Sequence, residues 1–149
     1  MSLQNWLNSG WLTKHRTSSQ EITALLSVAD RDLSDCRTSG LSTDWKLNIA
    51  YNAALQTATA ALSASGYRAV RGAHHYRVIH SLAYTIKADV GLVSLLDQFR
   101  KKRNISEYDH VGMISDQEAK EMVNLAIKLR KDVEKWLREN HPHLLGKNS

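Results

Sequence analysis

Arg103, Asn104 and His110 fall within one short run, RKKRNISEYDH at residues 100–110, with six residues between the Arg and the His. These side-chain types suit chemistry on a phosphate. Cleaving RNA without a metal requires three things: the 2′-OH loses a proton, the leaving 5′-oxygen gains one, and the crowded phosphate has its charge offset. An imidazole, with a pKa near 6.5, carries protons at neutral pH and contributes roughly a hundred- to ten-thousand-fold. An Arg fork matches phosphate oxygens and keeps its charge, and one donor aimed at developing charge is worth about 3–4 kcal/mol. One His per chain does not easily serve as acid and base in the same step. A two-fold dimer brings two copies of the motif to one cleft.

Two groups of basic and imidazole side chains surround this motif in the sequence. Arg68, Arg71, His74, His75, Arg77 and His80 form the first, and Arg100, Lys101, Lys102, Arg103 and His110 the second. Arg68, Arg71, Arg77, Arg100, Lys101 and Lys102 are the candidate nucleic-acid contacts; Tyr108, His74, His75 and His80 are candidate accessory groups. For Lys101 and Lys102 a plainer reading suffices, because cations in a last turn complement the helix dipole. No metal or other cofactor is expected. The histidines lack the i, i+4 pairing of a helical zinc site and have no Cys or Glu partner nearby. The two glycines of SGYRAVRG have neither the spacing nor the preceding strand of a phosphate-binding loop.

The elements that must position these residues read as helices. Ser18 is an N-cap with Glu21 three residues later, and Ile22, Leu25, Leu26, Ala29 and Leu33 mark one face up to a stop at Gly40. LSTDW opens a second helix to Gly66, with an Ala-rich face of Leu47, Ala50, Tyr51, Ala54, Ala58, Ala61 and Leu62 that lets a neighbour approach closely. Tyr76, Ile79, Leu82, Ala83 and Ile86 mark a third. Leu92, Leu95, Leu96 and Phe99 mark a fourth after an interruption at KADVG. RNISEYDHVGM then connects to a capping box at Ser115 and Glu118, and the last helix carries Met122, Leu125, Leu129, Val133, Trp136 and Leu137. No hairpin signal or sustained alternation appears. The pattern predicts an all-α antiparallel bundle of four to five helices with short connections.

A chain of 149 residues suits one domain. Residues 1–15 form a short N-terminal extension whose Trp6 and Trp11 are expected to be buried, on the bundle or on a partner chain, and residues 141–149 a fraying tail. The balance of 42% hydrophobic and 23% charged residues excludes a disordered chain. The excess charge of +5 is compatible with a polyanionic partner without indicating one. The single Cys36 has no intrachain disulfide partner and reads as a small core residue. Together with a start that lacks a signal-peptide pattern, it points to the cytoplasm. VGLVSLL is too short to span a bilayer, so no membrane association is expected.

At Arg103, Asn104 and His110 the sequence resembles the HEPN superfamily (higher eukaryotes and prokaryotes nucleotide-binding domains). Its catalytic members carry an Arg, a polar residue and then a His, with four to six residues between the Arg and the His. The resemblance extends from SSQE to KWLREN through helix order and the GYR…HHYRVIHSL region. It implies a helical bundle that dimerises along the motif-bearing helices into a metal-independent endoribonuclease, of toxin or defence type. Arg103 would neutralise the scissile phosphate, His110 would move the proton, and Asn104 would hold the motif or substrate. RNA, a second copy of the chain and an antitoxin of minimal nucleotidyltransferase type are the implied partners. In the subgroup paired with that antitoxin the run is Arg, four residues, His, one residue, Tyr; here Tyr108 and His110 stand in exchanged order. The competing readings are a catalytically silent module that binds a nucleotidyltransferase or a nucleotide, and a helical adaptor that holds nucleic acid by charge alone.

Overall fold

A computed structural model describes residues 2–108 and 114–146, with side chains at all of these except 104–108. Among the described residues the helices are α1 (Leu3–Asn8), α2 (Ser19–Asp35), α3 (Thr43–Ala64), α4 (His74–Ser81), α5 (Val90–Tyr108) and α6 (Asp116–Asn140). A 3₁₀ turn at Pro142–Leu144 follows. The chain is thus mostly helical. Two three-residue strands, β1 (Leu12–Lys14) and β2 (Tyr67–Ala69), pair antiparallel with Leu12 opposite Ala69. This pairing is a small addition to the all-α architecture that the sequence predicts. It joins segments far apart in sequence through a handful of backbone bonds, so no local alternation announces it.

The helix starts follow from their caps. Ser18, Ser42 and Ser115 each accept a hydrogen bond from the backbone N–H three residues on, which satisfies one otherwise orphaned donor per helix. At Ser115 the reciprocal bond from its own N–H to Glu118 completes the capping box. Glu21 does not complete one; its carboxylate turns away to His15 and Thr17. The stops sit earlier than the glycines suggested. α2 ends with Cys36 as its C-cap, four residues before Gly40. α3 ends at Ala64, and Gly66 takes the left-handed conformation beyond it (φ +94°), donating its N–H to the Ser63 carbonyl.

α3 is the central element. It packs most extensively on α6 and α2 and also meets α4, α5 and β2. Accordingly it is buried on several faces rather than one, with Ala50, Ala53, Ala54, Ala58, Ala60, Ala61 and Ala64 all in the core. Asp32 of α2 accepts from Asn52 of α3 at 2.6 Å, and Glu21 and Leu25 share a cleft with Thr59 and Leu62. α2 and α3 therefore run antiparallel. Arg130 of α6 holds Asp30 of α2 with two hydrogen bonds (2.8 and 3.1 Å), while Ser19 at the start of α2 lies beside Gly146 beyond α6. α6 is likewise antiparallel to α2. It follows that α3 and α6 run parallel, their first turns joined by the Thr43 hydroxyl donating to Asp116 at 2.6 Å. Successive long helices alternate in direction as expected, yet the largest interface is a parallel one.

Three further expectations are corrected. α4 ends at Ser81 and not near Ile86; the chain turns through Lys87 at φ +58° before Asp89 opens α5. Its buried face is Val78, Ile79 and Leu82, whereas Tyr76 is exposed. Next, α5 continues through Tyr108, so Asn104 lies inside the helix and not in a connection. Lys101, Lys102, Arg103 and Glu107 are good helix formers and no Gly or Pro intervenes before Gly112. Last, residues 141–146 pack on the bundle where a fraying tail is expected: Leu144 and Leu145 are buried and the His141 ring packs edge-on to Trp136 at 5.0 Å. Among the described residues no helix is long and apolar enough to cross a membrane.

Candidate functional site

The second half of α5 faces α4 and the first half of α3. Two arginine, tyrosine and histidine triplets meet there. The Arg103 guanidinium carbon lies 5.2 Å from the centre of the Tyr51 ring, and the Tyr51 hydroxyl meets His75 Nδ1 at 3.4 Å. One helical turn away, Arg100 lies 5.5 Å from the centre of Tyr76. Tyr76 in turn stacks on His80, with ring centres 4.1 Å apart. A cation above an aromatic face is attracted to the ring's negative quadrupole and its orientation is narrowed.

Asp97 organises this row from inside α5. It accepts from Arg100 Nε at 2.8 Å and lies 3.5 Å from both His80 Nε2 and Lys101 Nζ. Partial burial works to raise its pKa. The hydrogen bond and charge of Arg100, with His80 and Lys101 behind them, outweigh burial and hold the carboxyl below its ordinary range. Burial pushes the Tyr51 phenol the other way, from its ordinary 10.0 up to about 12, although the Arg103 and Arg100 charges pull it down. Tyr51 therefore remains a neutral hydroxyl at every physiological pH, able to donate to or accept from an imidazole.

The first basic cluster read from the sequence does not form a single patch. α4 advances about 100° per residue, and its side chains fan out in three directions. His75 and His80 face α5 and Tyr51, as above. Arg77 turns to the N-terminal segment, its guanidinium carbon 3.6 Å from the centre of the Trp11 ring. His74 lies on a cleft of about 240 Å³ with Arg68, His15 and Glu21. Burial, reinforced by the Arg68 charge, pushes the His74 pKa down. Arg71 is exposed in the turn before α4.

Of the second cluster, Arg100 and Lys101 are engaged by Asp97, and Lys102 pairs with Glu118 of α6. Lys102 therefore ties α5 to the start of the last helix. Arg103 is half-buried at the aromatic row. The side chains of Asn104 and Tyr108, and His110 altogether, lie outside the described residues. The structure thus brings Arg103 together with Arg100, His75 and His80, and sends Arg68, Arg77 and Lys102 elsewhere.

Sequence reading passed over three members of this site. The periodicity places Tyr51 and Tyr76 on apolar helix faces, where their rings fit, and carries no signal of what their hydroxyls meet. Asp97 precedes Arg100 and Lys101 by three and four residues, a spacing that brings opposite charges together on a helix, and this signal was present. Among the described residues no group of three or more His, Cys, Asp and Glu side chains converges to hold a metal. Comparison of the chain with protein-family models, characterised proteins and solved structures gives no match.

Proposed function

We propose that this protein is a metal-independent endoribonuclease of HEPN type, working as a two-fold dimer in which Arg103 grips the scissile phosphate and His110 moves the proton. The observation that carries the reading is the convergence at Arg103. The guanidinium is held against Tyr51, whose hydroxyl contacts His75, on the helix that leads towards His110. Arg100 stands one turn earlier on the same helix and supplies a second fixed cation.

In this reaction a base takes the proton of the 2′-OH, the 2′-oxygen attacks phosphorus, and the P–O5′ bond breaks as an acid protonates the leaving oxygen. The products are a 2′,3′-cyclic phosphate and a 5′-OH. Arg103 stabilises the charge that builds on the non-bridging oxygens. Paired copies of His110 serve as base and acid, and Asn104 holds the motif by hydrogen bonds. A toxin or defence role, with an antitoxin of nucleotidyltransferase type, belongs to the same reading. The adaptor that binds by charge alone is disfavoured, because Arg100, Lys101 and Lys102 already face carboxylates.

The test is cleavage of labelled RNA in EDTA by wild type, Arg103→Ala and His110→Ala, with a substrate carrying a 2′-deoxy residue at the cut as control. The reading requires cleavage that survives EDTA, needs the 2′-OH and disappears in both variants.

A further inference from the structure

Beside the row of α4 and α5 side chains lies a second cavity, of about 390 Å³, lined by Trp6, Trp11, Tyr76, Arg77, His80 and Tyr84. Its volume falls in the roughly 300–1,000 Å³ range of small-molecule sites. The β1–β2 pairing holds the N-terminal segment against the turn before α4 and so makes Trp6 and Trp11 one wall of it. Four of the six lining residues are aromatic. Trp6 meets Trp11 and Tyr84 edge-on, with ring centres 5.9 and 5.3 Å apart, which fixes the wall's shape.

The polar groups here are donors left wanting. Trp6 is 6% exposed, and its Nε1, like Nε and Nη1 of Arg77, is shielded from solvent with no hydrogen-bond partner among the described residues. Such groups are costly to leave unmet. A cationic guest is excluded by the Arg77 charge. What the site lacks is a flat, acceptor-bearing guest. Arg77 lies on the Trp11 ring at stacking distance; a flat guest that takes that face moves the guanidinium to its own edge, where acceptors in the plane of the guest meet the Arg77 donors.

We propose that this cavity takes a single unpaired nucleobase, stacked on Trp11 and read by the Trp6 and Arg77 donors. Guanine, with O6 and N7 as adjacent acceptors, fits that donor set better than adenine, where a donor replaces O6. The Tyr76 ring is shared with the neighbouring site, lining this cavity while Arg100 lies 5.5 Å from its centre. A base seated here directs its adjoining phosphate towards Arg100 and Arg103. That strand-borne form rests on the ribonuclease reading; a free nucleotide offers the same base chemistry without it.

The experiment uses the full chain and a ligand that resists cleavage: a 2′-O-methyl phosphodiester pentamer, abasic except for one central guanine. It is compared with the fully abasic pentamer, the adenine version and free guanosine monophosphate. The guanine is expected to tighten binding roughly five- to hundredfold over the abasic strand, with adenine intermediate. Trp11→Ala abolishes that gain and Trp11→Phe retains most of it, with thermal melts confirming the fold. Arg77→Gln, which keeps a flat polar group, removes the preference for guanine over adenine. Trp11-dependent binding of the free monophosphate as tight as that of the strand supports the base site and assigns it to nucleotides. Equal binding of abasic and guanine strands, or a gain untouched in folded Trp11→Ala and Arg77→Gln, overturns the proposal. Base-dependent binding alongside no cleavage in EDTA overturns the ribonuclease reading alone.

Discussion

Arg103 lies over the Tyr51 ring across the α3–α5 contact, the guanidinium carbon 5.2 Å from the ring centre, while the Tyr51 hydroxyl reaches His75 Nδ1 on α4. One buried ring therefore couples three helices, and its two ends do different work. The face steadies the Arg103 guanidinium and the hydroxyl steadies an imidazole.

Tyr51→Phe separates those roles. It keeps the ring beneath Arg103 and removes only the hydroxyl, so the fold should lose about 1 kcal/mol, and RNA binding should change less than cleavage. The pH response gives a second readout. Because the folded-state phenol titrates near 12 and not at 10.0, its contribution is complete below pH 10 and is lost as pH rises towards 12. Denaturant unfolding at pH 9 and pH 11 should show that loss in wild type, and it should be absent in Tyr51→Phe.

Asp97 has the opposite linkage. Its carboxyl titrates below the ordinary range in the folded protein, so the stability it contributes is present above its unfolded pKa and disappears as pH falls through the folded one. Asp97→Asn should remove part of the acid sensitivity of unfolding below about pH 4. It also releases Arg100 and Lys101, and nucleic-acid binding should become stronger and more salt-dependent. An unchanged salt slope in the variant contradicts this role for Asp97.

Lys87 turns the chain between α4 and α5 at φ +58°, a conformation that costs a residue with a Cβ about 1 kcal/mol or more. Lys87→Gly should raise the melting temperature. The same substitution at an ordinary exposed helical position such as Lys131 should lower it.

The close contact of α3 with its neighbours depends on small side chains. Ala61 is fully buried, and Ala61→Leu should destabilise the protein by about 1–3 kcal/mol through overpacking. Urea unfolding measures this directly.

The helices and most of the core were legible in the sequence because both are local properties. Ser18, Ser42 and Ser115 announce helix starts through capping that involves only the next three residues. Leu125, Leu129, Val133 and Leu137 mark a face by spacing alone, and all four are buried. What local pattern does not carry is how the faces are shared out. Periodicity gave α3 one apolar face, but it is enclosed by several neighbours and its Ala residues are buried almost all round. Closeness in sequence groups Arg68, Arg71, His74, His75, Arg77 and His80 as one basic cluster, yet a helix disperses adjacent residues: Arg77 lies on the tryptophans and His74 on the cleft shared with α2. The β1–β2 pairing and the parallel α3–α6 contact are long-range outcomes of packing. Within the candidate site, residue type singles out Arg103 and Arg100, whereas Tyr51, Tyr76 and Asp97 stand out only through what the fold sets beside them.

The most direct test of the central claim is single-turnover cleavage of a labelled RNA in excess EDTA by wild type, Arg103→Ala and His110→Ala. Wild type should give a product ending in a 2′,3′-cyclic phosphate, with none from either variant and none where the cut-site 2′-OH is replaced by hydrogen. Cleavage by either variant at the wild-type rate, or RNA bound by wild type and never cut, contradicts it.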